Sequence, residues 1–84
     1  MESRKFANIL GARVDLVNTS ESLDRIKQFI VARQSAHVIT LNAEIVYQAQ
    51  NDPGLLSIIN SADLVTPDGI GIVWAGRRLG YPFE

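Results

Sequence analysis

Two short apolar runs, His37-Val38-Ile39-Thr40-Leu41 and Leu64-Val65-Thr66, constrain the fold of this chain more than any other feature. Around them apolar residues recur at helical spacing, whereas within them they are continuous. A strand with one wet face alternates apolar and polar residues; a continuous run is the pattern of a parallel strand covered on both faces. The intervening segments read as helices. Asn18-Thr19-Ser20-Glu21 supplies a capping side chain and an acid for a first turn. Leu23, Ile26, Phe29 and Ile30 follow at helical spacing to about Arg33, giving an apolar face expected to lie on a sheet. Residues 43–50 read as a second helix. Asp52-Pro53 opens a third, with aspartate as cap, proline at the first helical position, and Leu55, Leu56, Ile58 and Ile59 as its buried stripe. A fourth spans residues 70–79 and stops at Gly80 and Pro82. Ahead of these, residues 8–17 read as two short strands around a glycine turn, with Val14 and Leu16 on one face.

This order predicts an α/β fold: a partial, Rossmann-like layered domain of parallel strands with flanking helices and an N-terminal short strand pair. A right-handed crossover sets the two inner strands side by side, so their carboxyl ends share one edge. Thr40-Leu41-Asn42 and Thr66-Pro67-Asp68-Gly69 then meet where ligands sit in open α/β sheets. Proline fixes φ and glycine frees it, so the direction of Asp68 is set by the backbone. Taken alone, the turn reads as a plain strand-to-helix connection with Asp68 as helix cap. Two polar clusters converging on one edge point further, to a site. Sheets of this class usually hold about five or six strands, so the chain reads as part of a domain.

Composition narrows the function classes. At 84 residues the chain is one small unit, of a size that buries about 60% of its unfolded surface. A net charge of −1 offers no field to gather nucleic acid. There is no cysteine and one histidine, so thiolate chemistry and a histidine-paired metal site are excluded. The start, Met1 to Lys5, is polar and enters no long apolar run, which predicts neither a leader nor a membrane span and a cytoplasmic setting. Asn18-Thr19-Ser20 matches a glycosylation sequon, read as chance in that setting. Gly69-Ile70-Gly71 begins a dinucleotide fingerprint but Trp74 stands where glycine or alanine is needed, and Gly71 with Gly76 has P-loop spacing but is followed by Arg77-Arg78. Those arginines read as last-turn cations opposing the helix dipole. Trp74 and Tyr47 read as core or interface, and His37 as a strand-edge residue.

The blocks Thr40-Leu41-Asn42-Ala43-Glu44-Ile45-Val46, Asn51-Asp52-Pro53 and Ala62-Asp63-Leu64-Val65-Thr66-Pro67-Asp68-Gly69-Ile70-Gly71, with the opening Ile9-Leu10-Gly11-Ala12-Arg13-Val14-Asp15, closely resemble the WecG/TagA/CpsF glycosyltransferases. The resemblance covers nearly the whole chain. It implies that residues 1–84 are the N-terminal part of a single glycosyltransferase domain, in a family roughly two to three times as long.

The resemblance further implies transfer of an N-acetylmannosamine-type sugar from a UDP donor to a polyprenyl-diphosphate-linked acceptor sugar, in cell-surface polysaccharide or teichoic acid synthesis. It assigns Asp68 as catalytic base with Thr40 beside it, and Asn42, Pro67, Gly69 and Gly71 to substrate binding. No metal or cofactor is expected, and the full-length protein is expected to be peripheral at the inner face of the membrane. An inverting transfer needs one carboxylate to take the acceptor hydroxyl's proton. Two other readings stay open: a non-enzymatic nucleotide-binding module, and a degenerate truncated copy acting by interaction. An unfinished sheet edge also predicts self-association, through Ile72, Trp74 and the Tyr81-Pro82-Phe83 tail.

Overall fold

The structure, a computed structural model, describes residues 5–83. Residues 1–4, most of the segment read above as carrying no leader, lie outside the described residues, as does Glu84.

Strands β1 (Phe6–Ile9) and β2 (Ala12–Asp15) form an antiparallel hairpin with Ile9 opposite Ala12. Its turn residues Leu10 and Gly11 both have positive φ, 52° and 91°, a twist that suits a two-residue hairpin loop. Helix α1 (Thr19–Val31) starts at a capping box: Asn18 Oδ1 accepts from the Glu21 N–H at 2.8 Å, and Glu21 Oε1 accepts from the Asn18 N–H at 3.1 Å. Strand β3 (Val38–Leu41), helices α2 (Ala43–Ala49) and α3 (Pro53–Ser61), strand β4 (Leu64–Pro67) and helix α4 (Ile70–Arg78) complete the order. Asp52 caps α3 through its carboxylate and Pro53 opens it, as the sequence predicts.

β3 and β4 pair in parallel, with Ile39 opposite Val65 and Thr40 opposite Thr66. The predicted parallel neighbours and N-terminal strand pair are therefore present, in an α/β arrangement compatible with a partial Rossmann-like fold. Side chains alternate across a strand, so the sheet has two unlike faces. On one, Leu41 and Val65 join Ala7, Ile9, Ala12 and Val14 of the hairpin, Val46, Ala49 and Ile59 of α2 and α3, and Ile72 with Phe83. Burying each of the larger of these side chains stabilises the fold by roughly 1.5–3 kcal/mol.

Polar bonds fix the hairpin on this core. The Arg13 guanidinium donates to the Ala62 carbonyl at 2.6 Å, and the Arg13 N–H donates to Asn60 Oδ1 at 2.8 Å. Asn60 Nδ2 in turn donates to the Gly11 carbonyl at 3.0 Å. Asp15 is 1% exposed, and its Oδ2 accepts from the buried Val65 N–H of β4 at 2.8 Å. A buried carboxylate is tolerated when it is hydrogen-bonded in this way.

Burial differs from the sequence reading in several places. β3 is not covered on both faces: Leu41 is buried, but Val38 and Thr40 are exposed, because α1 packs on β4 and leaves β3 open beside it. No residue of α1 is buried, and Leu23 is 61% exposed, so its apolar stripe is only partly applied to the sheet. In α3, Ile59 is buried and Leu55 and Leu56 half-buried, while Ile58 turns outward, because it lies at the margin of the arc that the other three occupy. Tyr47 and Trp74, at 74% and 63% exposed, are not core. Trp74 instead lies under the Arg78 guanidinium one turn on, 5.6 Å from the ring centroid. Ile72 and Phe83 point inward and are unavailable as surface contacts.

Candidate active site

The carboxyl ends of β3 and β4 are locked together by one bond across the edge: the Asp68 N–H donates to the Leu41 carbonyl at 2.8 Å. Pro67 closes β4, and Gly69, with φ of 89°, redirects the chain into α4. That φ is costly for any residue with a Cβ, so glycine is what permits so tight a turn here. Gly69 itself is the N-cap of α4, and the helix start has no side-chain cap bond. Asp68 thus does not cap the helix, contrary to the simplest reading of the turn. Its side chain makes no hydrogen bond or ion pair with another described residue, and Asp68 is exposed.

A cavity of about 690 Å³ opens at this edge, over the face of β3 that α1 leaves uncovered. Thr40 and Thr66, paired in register, form its floor together with Val38. Pro67, Asp68 and Gly69 form one wall. Ile70, Val73 and Arg77 continue it along one stripe of α4, and Leu23 and Ile26 of α1 stand opposite. Asn18, Thr19 and Ser22 add polar groups at the start of α1. The chemistry on offer is an uncommitted carboxylate, hydroxyls on the floor, one guanidinium, and apolar walls.

Of the site residues expected from sequence, Thr40, Pro67, Asp68 and Gly69 line this cavity, and Asn42 and Gly71 do not. Asn42 caps α2, its Oδ1 accepting from the Ile45 N–H at 2.9 Å. Gly71 allows the first turns of α4 and α2 to approach; a Cβ there would stand 3.3 Å from the Ala43 Cβ. Sequence reasoning brought Thr66 to the same edge as Thr40 but did not count it among the site residues, although it lines the cavity beside Thr40. It also placed Arg77 in a merely dipolar role, because helical spacing from Ile70 was not followed to its third member.

Residues 7–84 match the model of a family described as the glycosyl transferase WecG/TagA/CpsF family. Among curated relatives, the N-acetylglucosaminyldiphosphoundecaprenol N-acetyl-beta-D-mannosaminyltransferase of Staphylococcus aureus (strain NCTC 8325 / PS 47) is 36% identical over 78 residues, covering 89% of this chain and 30% of that protein. The protein of the same name from Bacillus spizizenii W23 is 32% identical over 56 residues, covering 67% of this chain and 22% of the relative. The chain therefore spans less than a third of the length of these relatives.

Proposed function

The chain belongs to the WecG/TagA/CpsF glycosyl transferase family, and on that premise we propose that its cavity holds the reacting groups of a sugar transfer with Asp68 as general base. The relatives' names describe N-acetylmannosaminyl transfer to N-acetylglucosaminyldiphosphoundecaprenol. We carry over to this chain a UDP-linked, N-acetylmannosamine-type donor and a polyprenyl-diphosphate-linked acceptor sugar. Residues 1–84 act as one part of a single, larger transferase domain. The setting is the inner face of the cell membrane, where the protein is peripheral and its product enters cell-surface polysaccharide or teichoic acid. Among the described residues no helix is long and apolar enough to cross a membrane.

In this reading the Asp68 carboxylate removes the proton of the acceptor hydroxyl as that oxygen attacks the anomeric carbon. The bond from that carbon to the diphosphate oxygen breaks on the opposite face, and UDP leaves with the electron pair. Configuration at the anomeric carbon inverts. Thr40 stands beside the base with its hydroxyl available to a sugar or phosphate oxygen, and Asn42, Pro67, Gly69 and Gly71 shape the edge around it. The observation that carries the proposal is the state of Asp68: a carboxylate directed by Pro67 and Gly69, at a cavity mouth, with no partner of its own among the described residues. A carboxylate serving structure would be spent on a cap or an ion pair. The test is transfer of labelled sugar from UDP to a lipid-diphosphate acceptor by the full gene product, with donor binding followed separately. Loss of transfer with retained binding in Asp68→Asn supports the base; near-normal turnover ends the assignment.

A further inference from the structure

Arg77 is the one cation among the described residues lining the cavity, and Asp68 the one anion. It is not a loose surface arginine. Ile70, Val73 and Arg77 follow at three- and four-residue steps, so Arg77 continues the stripe of α4 that faces the cavity. The chain beyond α4 then returns over it. Gly80, with φ of 94°, ends the helix; the Tyr81 N–H donates to the Gly76 carbonyl at 3.0 Å, and the Phe83 ring packs directly on Gly76. This places the Phe83 carbonyl to accept from Arg77 Nε at 2.7 Å. One edge of the guanidinium is thereby fixed by the tail, and its terminal nitrogens make no bond to a described residue. Arg78, next in sequence, is turned away onto Trp74.

We propose that Arg77 is a diphosphate-binding residue of this cavity. The inference rests on the glycosyl-transfer reading for its ligand class, since both the donor and the acceptor of that reaction carry a diphosphate. A guanidinium with Nε already engaged offers its two terminal N–H groups as a planar fork, the geometry that phosphate oxygens take bidentately. A diphosphate bound there sits along α4 from Asp68, so the diphosphate and the base occupy separate ends of one cavity. The apolar residues Ile70 and Val73 lie between them along α4.

The test is titration of the chain with UDP, inorganic pyrophosphate, uridine, and a short-chain prenyl-diphosphate-linked N-acetylglucosamine, followed by nitrogen-15 NMR of the α4 amides and the Arg77 Nε–H. Pyrophosphate and UDP should shift these signals and uridine should not. Arg77→Gln should weaken UDP or the prenyl compound about tenfold or more, as loss of a charge-assisted bidentate contact does. Arg77→Lys should lose less, and Arg78→Gln should bind as the parent does. Which of the two diphosphates depends on Arg77 assigns the contact to donor or acceptor. Equal weakening in the Lys and Gln variants, with equal loss of melting temperature, would mean that the bond to Phe83 matters and the charge does not, which overturns the inference. So would binding within twofold of the parent in Arg77→Gln, or no shift in the parent chain. Failure of the parent reading looks different: Arg77-dependent binding of UDP, with no sugar transfer by the full gene product.

Discussion

Truncating the buried carboxylate of β2 should destabilise the chain by a predictable amount. In Asp15→Ala the Val65 N–H, now hydrogen-bonded at 2.8 Å and fully buried, loses an acceptor that the surrounding apolar side chains cannot replace. An unsatisfied buried donor costs about 1–3 kcal/mol, with bonds to a charged acceptor toward the upper end. Relief from holding a carboxylate away from water offsets part of this, leaving a net loss of about 2 kcal/mol. Small domains are stable by roughly 0.05–0.15 kcal/mol per residue, so this is a substantial share of the whole. At about 4–8 °C per kcal/mol for a domain of this size, the melting temperature should fall by about 8–16 °C. Asp15→Asn keeps an oxygen in place and should lose about half as much. Circular dichroism melts give the first number, and hydrogen exchange at the Val65 amide gives the site, since its protection should fall further than that of Ile59 in α3. A melting temperature within about 2 °C of the parent, where about 8 °C or more is expected, would refute the reasoning.

Three further outcomes are expected. In the full gene product Asp68→Asn should lower kcat by roughly 10²–10⁴-fold with donor affinity little changed, and Thr40→Val should cost less because it removes no proton acceptor; steady-state transfer assays decide both. Gly76→Ala places a methyl group against the Phe83 ring and should destabilise by about 1–3 kcal/mol; adding Phe83→Ala should make the methyl group itself nearly neutral, and a double mutant showing the same methyl penalty would contradict the packing. Sedimentation velocity should show self-association at rising concentration through the exposed apolar residues Leu23, Ile30, Val31 and Val38, an expectation that a dispersed monomer throughout the range would defeat.

Element order was legible in the sequence because period and capping are local. Asn18, Asp52-Pro53 and Gly80 mark helix ends whose bonds are closed within a few residues. The meeting of Thr40 with Asp68 was legible too, since handedness leaves a parallel pair few alternatives. Burial was harder to read. The stripe of α1 and the run of β3 describe surfaces fit to be covered, and apolar patterning does not say that the covering element lies within these 84 residues. Asp15 was silent for another reason: its partner lies fifty residues away on a different sheet, and nothing in the letters around it separates a buried acceptor from a solvated strand end. The side of α4 on which Arg77 lies follows from helical spacing, but the bond that fixes its guanidinium depends on the tail that folds back over Gly76, a contact set by a turn.

The bond between Asp15 and Val65 has a consequence for how this sheet grows. Asp68 and Leu64 send their N–H groups to β3, which leaves Val65 and Pro67 as successive positions on the opposite side of β4. The first has its donor occupied by Asp15, and the second has no donor at all. A strand arriving on that side meets the Val65 and Pro67 carbonyls but no free N–H at either position. On β3, His37 and Leu41 direct their carbonyls to β4, so Val38 and Thr40 face the other way with their ladder groups unpaired by β4. Asp15 is to the sheet what Asn18 is to α1, a side chain that ends a run of backbone bonds. With the donors of that margin spent, a full ladder is open to a further strand only past β3, alongside Thr40, and a parallel strand there would bring its own carboxyl-end residues to the cavity margin.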